Sequence, residues 1–181
     1  MSFIRLNQEE QYQGHAFNVA KVHICLPDGR ERDYDLVEHG DSVTILPVDE
    51  DGHIYFVKQH RIGAEAELLE LPAGVLNSDE TPLECAKREI REEIGMAARH
   101  FVKMGGFFLA PGYTDEYMTV FLATELYEAP LDPDDDEFLD VKTFSVEDAY
   151  HLALEGKFHD SKTLATLLLA QSYLKEIYSL P

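Results

Sequence analysis

The residues whose chemistry stands out are three glutamates, Glu89, Glu92 and Glu93, in the stretch REIREEIG that begins at Arg88. Spacings of three and four residues bring them to one side of a helix, where like charges repel by a few tenths of a kcal/mol per pair. Carboxylate oxygens are the ligands that hard cations such as Mg²⁺ and Mn²⁺ prefer. The stretch therefore predicts a divalent metal site or, alternatively, a solvated helix face on which Arg88 and Arg91 balance the acids.

Local signals define the helix that carries these glutamates. Thr81, Pro82 and Glu84 form a capping box with proline at the first helical position, and Gly95 stands where a left-handed C-terminal cap belongs. We therefore expect a helix over residues 82–94. Its apolar face is predicted to consist of Leu83, Ala86, Ile90 and Ile94.

The remaining pattern predicts an α+β fold, a sheet sandwiched by helices. A hairpin turn is expected at Asp51 and Gly52. The β-rich runs are residues 16–26, 42–60, 101–109, 117–124 and 139–144. Two helices are expected to close the chain, one after a cap at Ser145 and one over residues 161–178. The second helix is predicted to bury a leucine stripe of Leu164, Leu167, Leu168 and Leu174.

Composition bounds the partners of the chain. Its 181 residues carry a formal net charge of −20, and no basic stripe offsets it. Because such a field repels phosphates, neither nucleic acid nor an anionic membrane is an expected partner. The two cysteines lack CxxC spacing, so we expect buried, reduced thiols, and each histidine is interpreted as structural or surface. Neither a targeting signal nor an apolar run of membrane-spanning length occurs, which favours a cytoplasmic protein.

The glutamates belong to a larger motif. Gly74, Glu80 and the run from Arg88 to Met96 match every defined position of the Nudix box, so the chain resembles the Nudix hydrolase family. The resemblance implies an α/β/α sandwich around a mixed sheet, and cleavage of a nucleoside diphosphate linked to another group with Mg²⁺, or Mn²⁺, as cofactor. Arg88 and Glu80 resemble supporting positions, and the role implied for Arg88 is to orient a carboxylate. The implied metal ligands are Glu89, Glu92, Glu93 and the carbonyl of Ala73, presented by a tight turn at Gly74.

The segments around the box resemble the ADP-ribose pyrophosphatase branch of the family. They are residues 69–74 (LELPAG) and residues 110–116 (APGYTDE), although Ala110 stands where the branch usually has serine. Residues 58–61 (KQHR) resemble the strand of this branch that carries a diphosphate-contacting arginine. The implied ligand is Arg61, since a guanidinium can bind two phosphate oxygens at once. An ordinary surface arginine is the alternative.

A general base is also implied by the resemblance, on a loop after the last long strand. Residues 132–137 form that loop here, with Asp134, Asp136 and Glu137 as candidates. Glu137 is favoured for its reach, although a solvated acidic turn is an equal alternative, and the glutamates of the box can also serve. The expected catalytic residues are Arg88, Glu92, Glu93 and Glu137. Nothing of the GxSxG, HExxH or P-loop type suggests another hydrolase mechanism.

Substrate recognition is expected to extend beyond the box. Tyr113 and Glu116 resemble residues that line the terminal-ribose side. Adenine would need an aromatic platform, although aromatic residues in strands are more often core residues. The candidates for this platform are Tyr12, Phe17 and Tyr34. N-terminal segments cross to a partner subunit in this branch, which implies a homodimer. We expect one Nudix domain over residues 1–181. An N-terminal antiparallel β region over about residues 1–40 is expected to form the dimer, and residues 41–181 are expected to form the catalytic core.

Three functions follow from these observations. The first is Mg²⁺-dependent hydrolysis of ADP-ribose to AMP and ribose 5-phosphate. The second is hydrolysis of another small-molecule nucleoside diphosphate sugar, such as GDP-mannose. The third is a nucleotide-binding Nudix module without catalysis, against which the intact set of box residues argues. The charge of −20 disfavours nucleic-acid decapping. The long N-terminal β region and the loop at Pro111 disfavour nucleoside triphosphate hydrolysis.

Overall fold

The computed structural model describes residues 2–132 and 138–175. The chain forms two compact units. One consists of Met1–Asp41 with Phe108–Tyr117, and the other of Ser42–Phe107 with Met118–Pro181. Among the described residues, no helix is long and apolar enough to cross a membrane.

The first unit contains a three-stranded antiparallel sheet. Its strands are β1 (Ile4–Gln13), β2 (Asn18–Cys25) and β3 (Glu31–Glu38), in the order β1-β2-β3. The central strand buries Ala20 and Val22, whereas all ten residues of β1 are exposed. The pattern of apolar residues predicted β2 but gave no separate signal for β1, because an exposed edge strand has no face to bury.

The second unit contains two more sheets. A mixed sheet has the order β7-β4-β9-β8, with β4 parallel to β9 and antiparallel to β7, and an antiparallel sheet has the order β10-β5-β6. Their strands are β4 (Ser42–Pro47), β5 (His53–Arg61), β6 (Ala66–Glu70), β7 (Ala73–Val75), β8 (Met96–Phe108), β9 (Tyr117–Glu128) and β10 (Asp140–Ser145). The predicted β-rich runs of this unit are confirmed as strands. The differences are a few residues at the ends of the runs and the turn before β5, which is not part of a strand.

The predicted turn at Asp51 and Gly52 is confirmed, but its strands do not form one hairpin. Gly52 has a φ of 78°, in the left-handed region that favours glycine, and Val48 and Ile54 form an isolated antiparallel bridge. Beyond that bridge, β4 enters the mixed sheet and β5 enters the antiparallel sheet. The turn therefore separates two sheets.

Within the described ranges, three α-helices cover these sheets, α1 (Pro82–Ile94), α2 (Val146–Leu154) and α3 (Ser161–Leu174), and a 3-10 turn spans Ile62–Ala64. The bounds of α1 are those predicted, because both of its caps form. The side chain of Thr81 accepts from the amide of Glu84, the Glu84 carboxylate accepts from the amide of Thr81, and Gly95 has a φ of 70°.

Two hydrophobic cores lie on opposite faces of β4. Val43 and Ile45 pack with Ile90 of α1, whereas Leu46 packs with residues of α2 and α3. Adjacent strand residues point to opposite faces, so the alternation along β4 serves both cores. Helices on both faces of the sheet layer confirm the α+β sandwich.

Three residues of the predicted apolar helix faces are exposed instead. Leu83 is 38% exposed, and Cys85 takes its place in the buried face of α1. Leu164 and Leu168 of α3 are 39% and 71% exposed, whereas Lys162 and Thr163 are buried. Both helices bury polar side chains that hydrogen-bond elsewhere in the fold, so apolar periodicity alone does not find the buried face.

Ile90 provides a direct test of the core beneath α1. Because Ile90 is fully buried, Ile90→Ala should lower the free energy of unfolding by about 2–5 kcal/mol. Leu83→Ala, on the exposed side of the same helix, should cost less than about 1 kcal/mol. Urea unfolding followed by circular dichroism measures both values, and equal losses would contradict this assignment of the buried face.

Candidate active site

The close approach of β7 to α1 defines one wall of the candidate site. Gly74 pairs with Val43 in the sheet, and a Cβ placed on Gly74 would lie 1.7 Å from Oε1 of Glu89. Gly74 is part of a strand and is not among the glycines with positive φ. The predicted tight turn at Gly74 was therefore wrong. Glycine is needed here because the Glu89 carboxylate occupies the space of a side chain.

Glu89 and Glu93 are buried, with 6% and 5% of their surface exposed. Oε2 of Glu93 accepts a hydrogen bond of 3.0 Å from the amide of Ala73. Buried carboxylates require hydrogen bonds or nearby cations, because the charged form loses its hydration. The two glutamates lie on the side of α1 that packs toward β7, rather than on an open helix face.

Arg88 links the carboxylates of the box. Its Nε and Nη2 donate to the two oxygens of Glu80 at 2.9 and 2.8 Å, and its Nη1 donates to Glu89 at 2.6 Å and to Glu92 at 2.9 Å. The hydrogen bond from Arg88 lowers the pKa of Glu80, and the contact with Glu80 is the main cause of a raised pKa at Arg88. Arg91 donates to the carbonyl of Ala129 at 2.8 Å.

The donor set fits a hard divalent cation. One positively charged nitrogen of Arg88 already lies within hydrogen-bonding distance of Glu89 and Glu92, so two carboxylate oxygens converge on a single cationic centre. In the part of the chain that the structure describes, no three His, Cys, Asp or Glu side chains are arranged to hold a metal ion. The Glu93 carboxylate accepts from the Ala73 amide. The Ala73 carbonyl remains a predicted ligand.

Cys85 lies among these groups. Its Sγ is 3.4 Å from Nη2 of Arg88 and 4.0 Å from Oε1 of Glu89, and burial raises the pKa of its thiol. It is a free thiol and buried, as expected, whereas Cys25 is free but only partly buried. Cys85 therefore packs beneath the carboxylates as a neutral side chain.

Arg61 is held by the carboxylate of Glu70, which was not among the predicted site residues. Its Nε and Nη2 donate to the two oxygens of Glu70 at 2.9 and 2.7 Å, and Glu70 also accepts from the buried Lys162. The hydrogen bond to Glu70 is the main cause of a raised pKa at Arg61, and the charge of Glu93 contributes to the shift. Burial alone would raise the pKa of Glu70, but the two cations outweigh it and lower the pKa. One available signal was Lys162 in the first turn of α3, where the helix dipole disfavours a positive charge.

Tyr113 and Glu116 belong to the other unit, in the segment Phe108–Tyr117. The carbonyl of Tyr113 accepts from the amide of Val37 at 2.7 Å, and the Tyr113 side chain is exposed. Glu116 lies 3.7 Å from Nδ1 of His39. The end of β3 therefore fixes the backbone of this loop.

Two groups of predicted residues remain. Asp134, Asp136 and Glu137, the candidates for the general base, lie outside the described residues. Tyr12, Phe17 and Tyr34 are 57%, 43% and 49% exposed, which argues against the alternative that they are core residues, and the aromatic platform stays a prediction. The rings of Tyr12 and Phe17 are 6.5 Å apart and tilted.

Comparisons with known proteins agree with this geometry. The model of the NUDIX domain matches residues 38–167. The chain is 35% identical over 171 residues to an ADP-ribose pyrophosphatase of Bacillus subtilis (strain 168), covering 93% of this chain and 91% of the relative. An ADP-ribose pyrophosphatase of Mycobacterium tuberculosis (strain ATCC 25618 / H37Rv) is 31% identical over 169 residues, covering 92% and 82%.

A solved structure shows the same fold. The crystal structure of an ADP compounds hydrolase superimposes with a TM-score of 0.86 at 25% sequence identity, covering 97% of this chain and 96% of that one. Nudix hydrolases generally depend on a divalent metal ion. The domain match, the two relatives and the shared fold identify the chain as a member of the Nudix family and a pyrophosphohydrolase.

Proposed function

We propose that this chain hydrolyses the pyrophosphate bond of ADP-ribose, or of a closely related nucleoside diphosphate sugar, with Mg²⁺ as cofactor. The products are a nucleoside monophosphate and a sugar phosphate. The observation that carries the proposal is the convergence of Glu89 and Glu92 on Nη1 of Arg88, against the side-chain-free surface of Gly74. The names of the two ADP-ribose pyrophosphatases support this choice of substrate.

The box residues would hold the metal. In this proposal the ligands of Mg²⁺, or of Mn²⁺ in its place, are Glu89, Glu92, Glu93 and the Ala73 carbonyl. A bound ion neutralises the phosphoryl oxygens and lowers the pKa of an attacking water. Arg88 keeps the carboxylates of Glu89 and Glu92 oriented, since its guanidinium is fixed at its other edge by Glu80.

Arg61 and the segment Phe108–Tyr117 would recognise the substrate. Arg61 binds the diphosphate in this proposal, because its side chain is 43% exposed while Glu70 fixes its direction. Tyr113 and Glu116 contact the terminal ribose. Glu137 takes the proton of the attacking water, and the box glutamates Glu92 and Glu93 are alternative acceptors.

A homodimer built on about residues 1–40 belongs to the same proposal, with residues 41–181 as the catalytic core of one Nudix domain. β1 is an edge strand whose apolar side chains Ile4, Leu6 and Tyr12 are 55%, 48% and 57% exposed. Exposed edge strands with apolar side chains are suited to pairing with another chain. The free thiols of Cys25 and Cys85 agree with a reducing compartment, and we propose a cytoplasmic location.

A substrate panel tests the proposed reaction. Purified protein is incubated with ADP-ribose, GDP-mannose, UDP-glucose or ATP, with Mg²⁺ or with a chelator, and products are separated by chromatography. We expect AMP and ribose 5-phosphate to form fastest from ADP-ribose and to be absent with the chelator. Faster cleavage of GDP-mannose would assign another sugar nucleotide as substrate. Cleavage of no compound would leave only a binding module.

Glu93→Gln tests the carboxylate cluster. The amide oxygen can still accept from Ala73, so the thermal midpoint should change little, whereas kcat should fall by about 10²- to 10⁴-fold because the negative charge is lost. Glu128 is exposed at the end of β9, so Glu128→Gln also removes one negative charge but should keep wild-type turnover. Wild-type turnover in Glu93→Gln would overturn the assignment of this cluster.

Gly74→Ala tests the close approach of β7 to α1. The added methyl group would meet the Glu89 carboxylate and displace it from Arg88, so kcat/KM for ADP-ribose should fall at least about tenfold. Gly63→Ala adds a methyl group where no atom lies within 4 Å and should keep wild-type kinetics. Equal kinetics in the two variants would show that the position of Glu89 is not critical.

A further inference from the structure

Lys162 is a lysine almost completely removed from solvent. Only 6% of its surface is exposed, although lysine is among the residues least often buried. Its Nζ donates to Oε2 of Glu70, 92 residues earlier in the chain, and to Oδ2 of Asp160 at 2.9 Å. A buried ammonium persists only with such partners, and it leaves a carboxylate uncompensated when it is removed. The stability of α3 does not by itself explain why a lysine is buried at this position.

The Glu70 carboxylate joins Lys162 to Arg61. Glu70 is 2% exposed, and Oε2 receives both Nζ of Lys162 and Nη2 of Arg61, while Oε1 receives Nε of Arg61. The guanidinium is thus fixed in direction along one edge, and the Arg61 side chain remains accessible to solvent. Two parallel hydrogen bonds to a buried carboxylate restrict an arginine far more than one exposed ion pair does.

The same residues tether the segment before β7. Oγ1 of Thr163 donates to Asp160 at 2.7 Å and accepts from the amide of Leu71 at 2.9 Å. Leu71 directly follows Glu70, and Ala73, two residues later, donates to Glu93. The first turn of α3 therefore holds the segment that carries both Glu70 and the amide contact of the box.

We propose that Lys162 and Glu70 are positioning residues for Arg61, which they hold in the direction needed to bind the diphosphate of the substrate. The proposal rests on the role given to Arg61 above. Lys162 also balances charge. Together with Arg61 it offsets Glu70 and Asp160, whereas without it the three remaining side chains carry a net negative charge beside an anionic substrate. Lys162 acts through Arg61 and touches no reacting atom.

A double-mutant cycle tests the link between Lys162 and Arg61. Lys162→Met keeps the length of the side chain and removes its charge. In an otherwise wild-type chain it should raise KM for ADP-ribose about tenfold or more, with a smaller change in kcat, because a hydrogen bond to a charged group is misdirected. In an Arg61→Ala chain the same substitution should change kcat/KM by less than about twofold, since its target is gone.

Lys157→Met is the matched control for loss of one positive charge. It lies outside the buried cluster, in an exposed position before α3, and should leave KM unchanged. Equal effects of Lys162→Met with and without Arg61 would overturn the proposal and make Lys162 an independent structural residue. A wild-type KM in Lys162→Met would overturn it as well.

Glu70→Gln provides a second route to the same answer if Lys162→Met fails to fold. The amide keeps an acceptor for Arg61 but loses the charge, so we again expect a higher KM in the wild-type chain and little further effect in Arg61→Ala. Failure of the proposed function is distinct from these outcomes, because it would appear as absence of ADP-ribose cleavage by the wild-type protein. If the wild-type protein cleaves ADP-ribose but neither substitution is coupled to Arg61→Ala in the cycle, the positioning role is rejected and the proposed function stands.

Discussion

The site depends on the neutralisation of three carboxylates that α1 brings close together. Glu89, Glu92 and Glu93 repel one another on a chain that is already strongly acidic, and two of the three are buried. Arg88 offsets the charges of Glu89 and Glu92 because its Nη1 donates a hydrogen bond to each of them, while Glu80 binds the other edge of the guanidinium. The sequence left two alternatives, a metal site and a helix face on which arginine balances the acids, and the structure shows the ion pairs of Arg88. The carboxylates in these ion pairs are also among the metal ligands of the proposed function.

The sheet explains why this helix can come so close to a strand. Residues on one face of β4 pack under α1, and β7 pairs with β4 so that Gly74 faces the helix without a side chain. A larger residue would separate the two elements at the position of Glu89. The glycine of the box therefore serves packing between elements, which is a different reason from the turn that its sequence context suggested.

Features encoded locally were predicted from the sequence, and features that need distant partners were not. The bounds of α1 follow from its own caps, and the turn at Gly52 follows from a dipeptide signal. The pattern did not reveal that Leu83 is exposed, because Cys85 competes for the same face only once the strands are in place. Likewise, Glu70 and Lys162 are separated by 92 residues, so no spacing rule joins them. Family resemblance supplied roles for box residues but not the contacts that hold Arg61.

The two arginines of the site are therefore held in different ways, and this difference bears on what each can do. Arg88 is engaged on all three of its nitrogens by groups from its own helix and the segment before it, so it is suited to holding carboxylates rather than to binding a ligand. Arg61 is engaged at one edge by a carboxylate whose charge is balanced from α3, and its side chain stays partly exposed. An anionic substrate can therefore approach Arg61 without displacing Glu70 from it. In the proposed function, that arrangement would keep a cation available to the diphosphate of the substrate in an otherwise acidic protein.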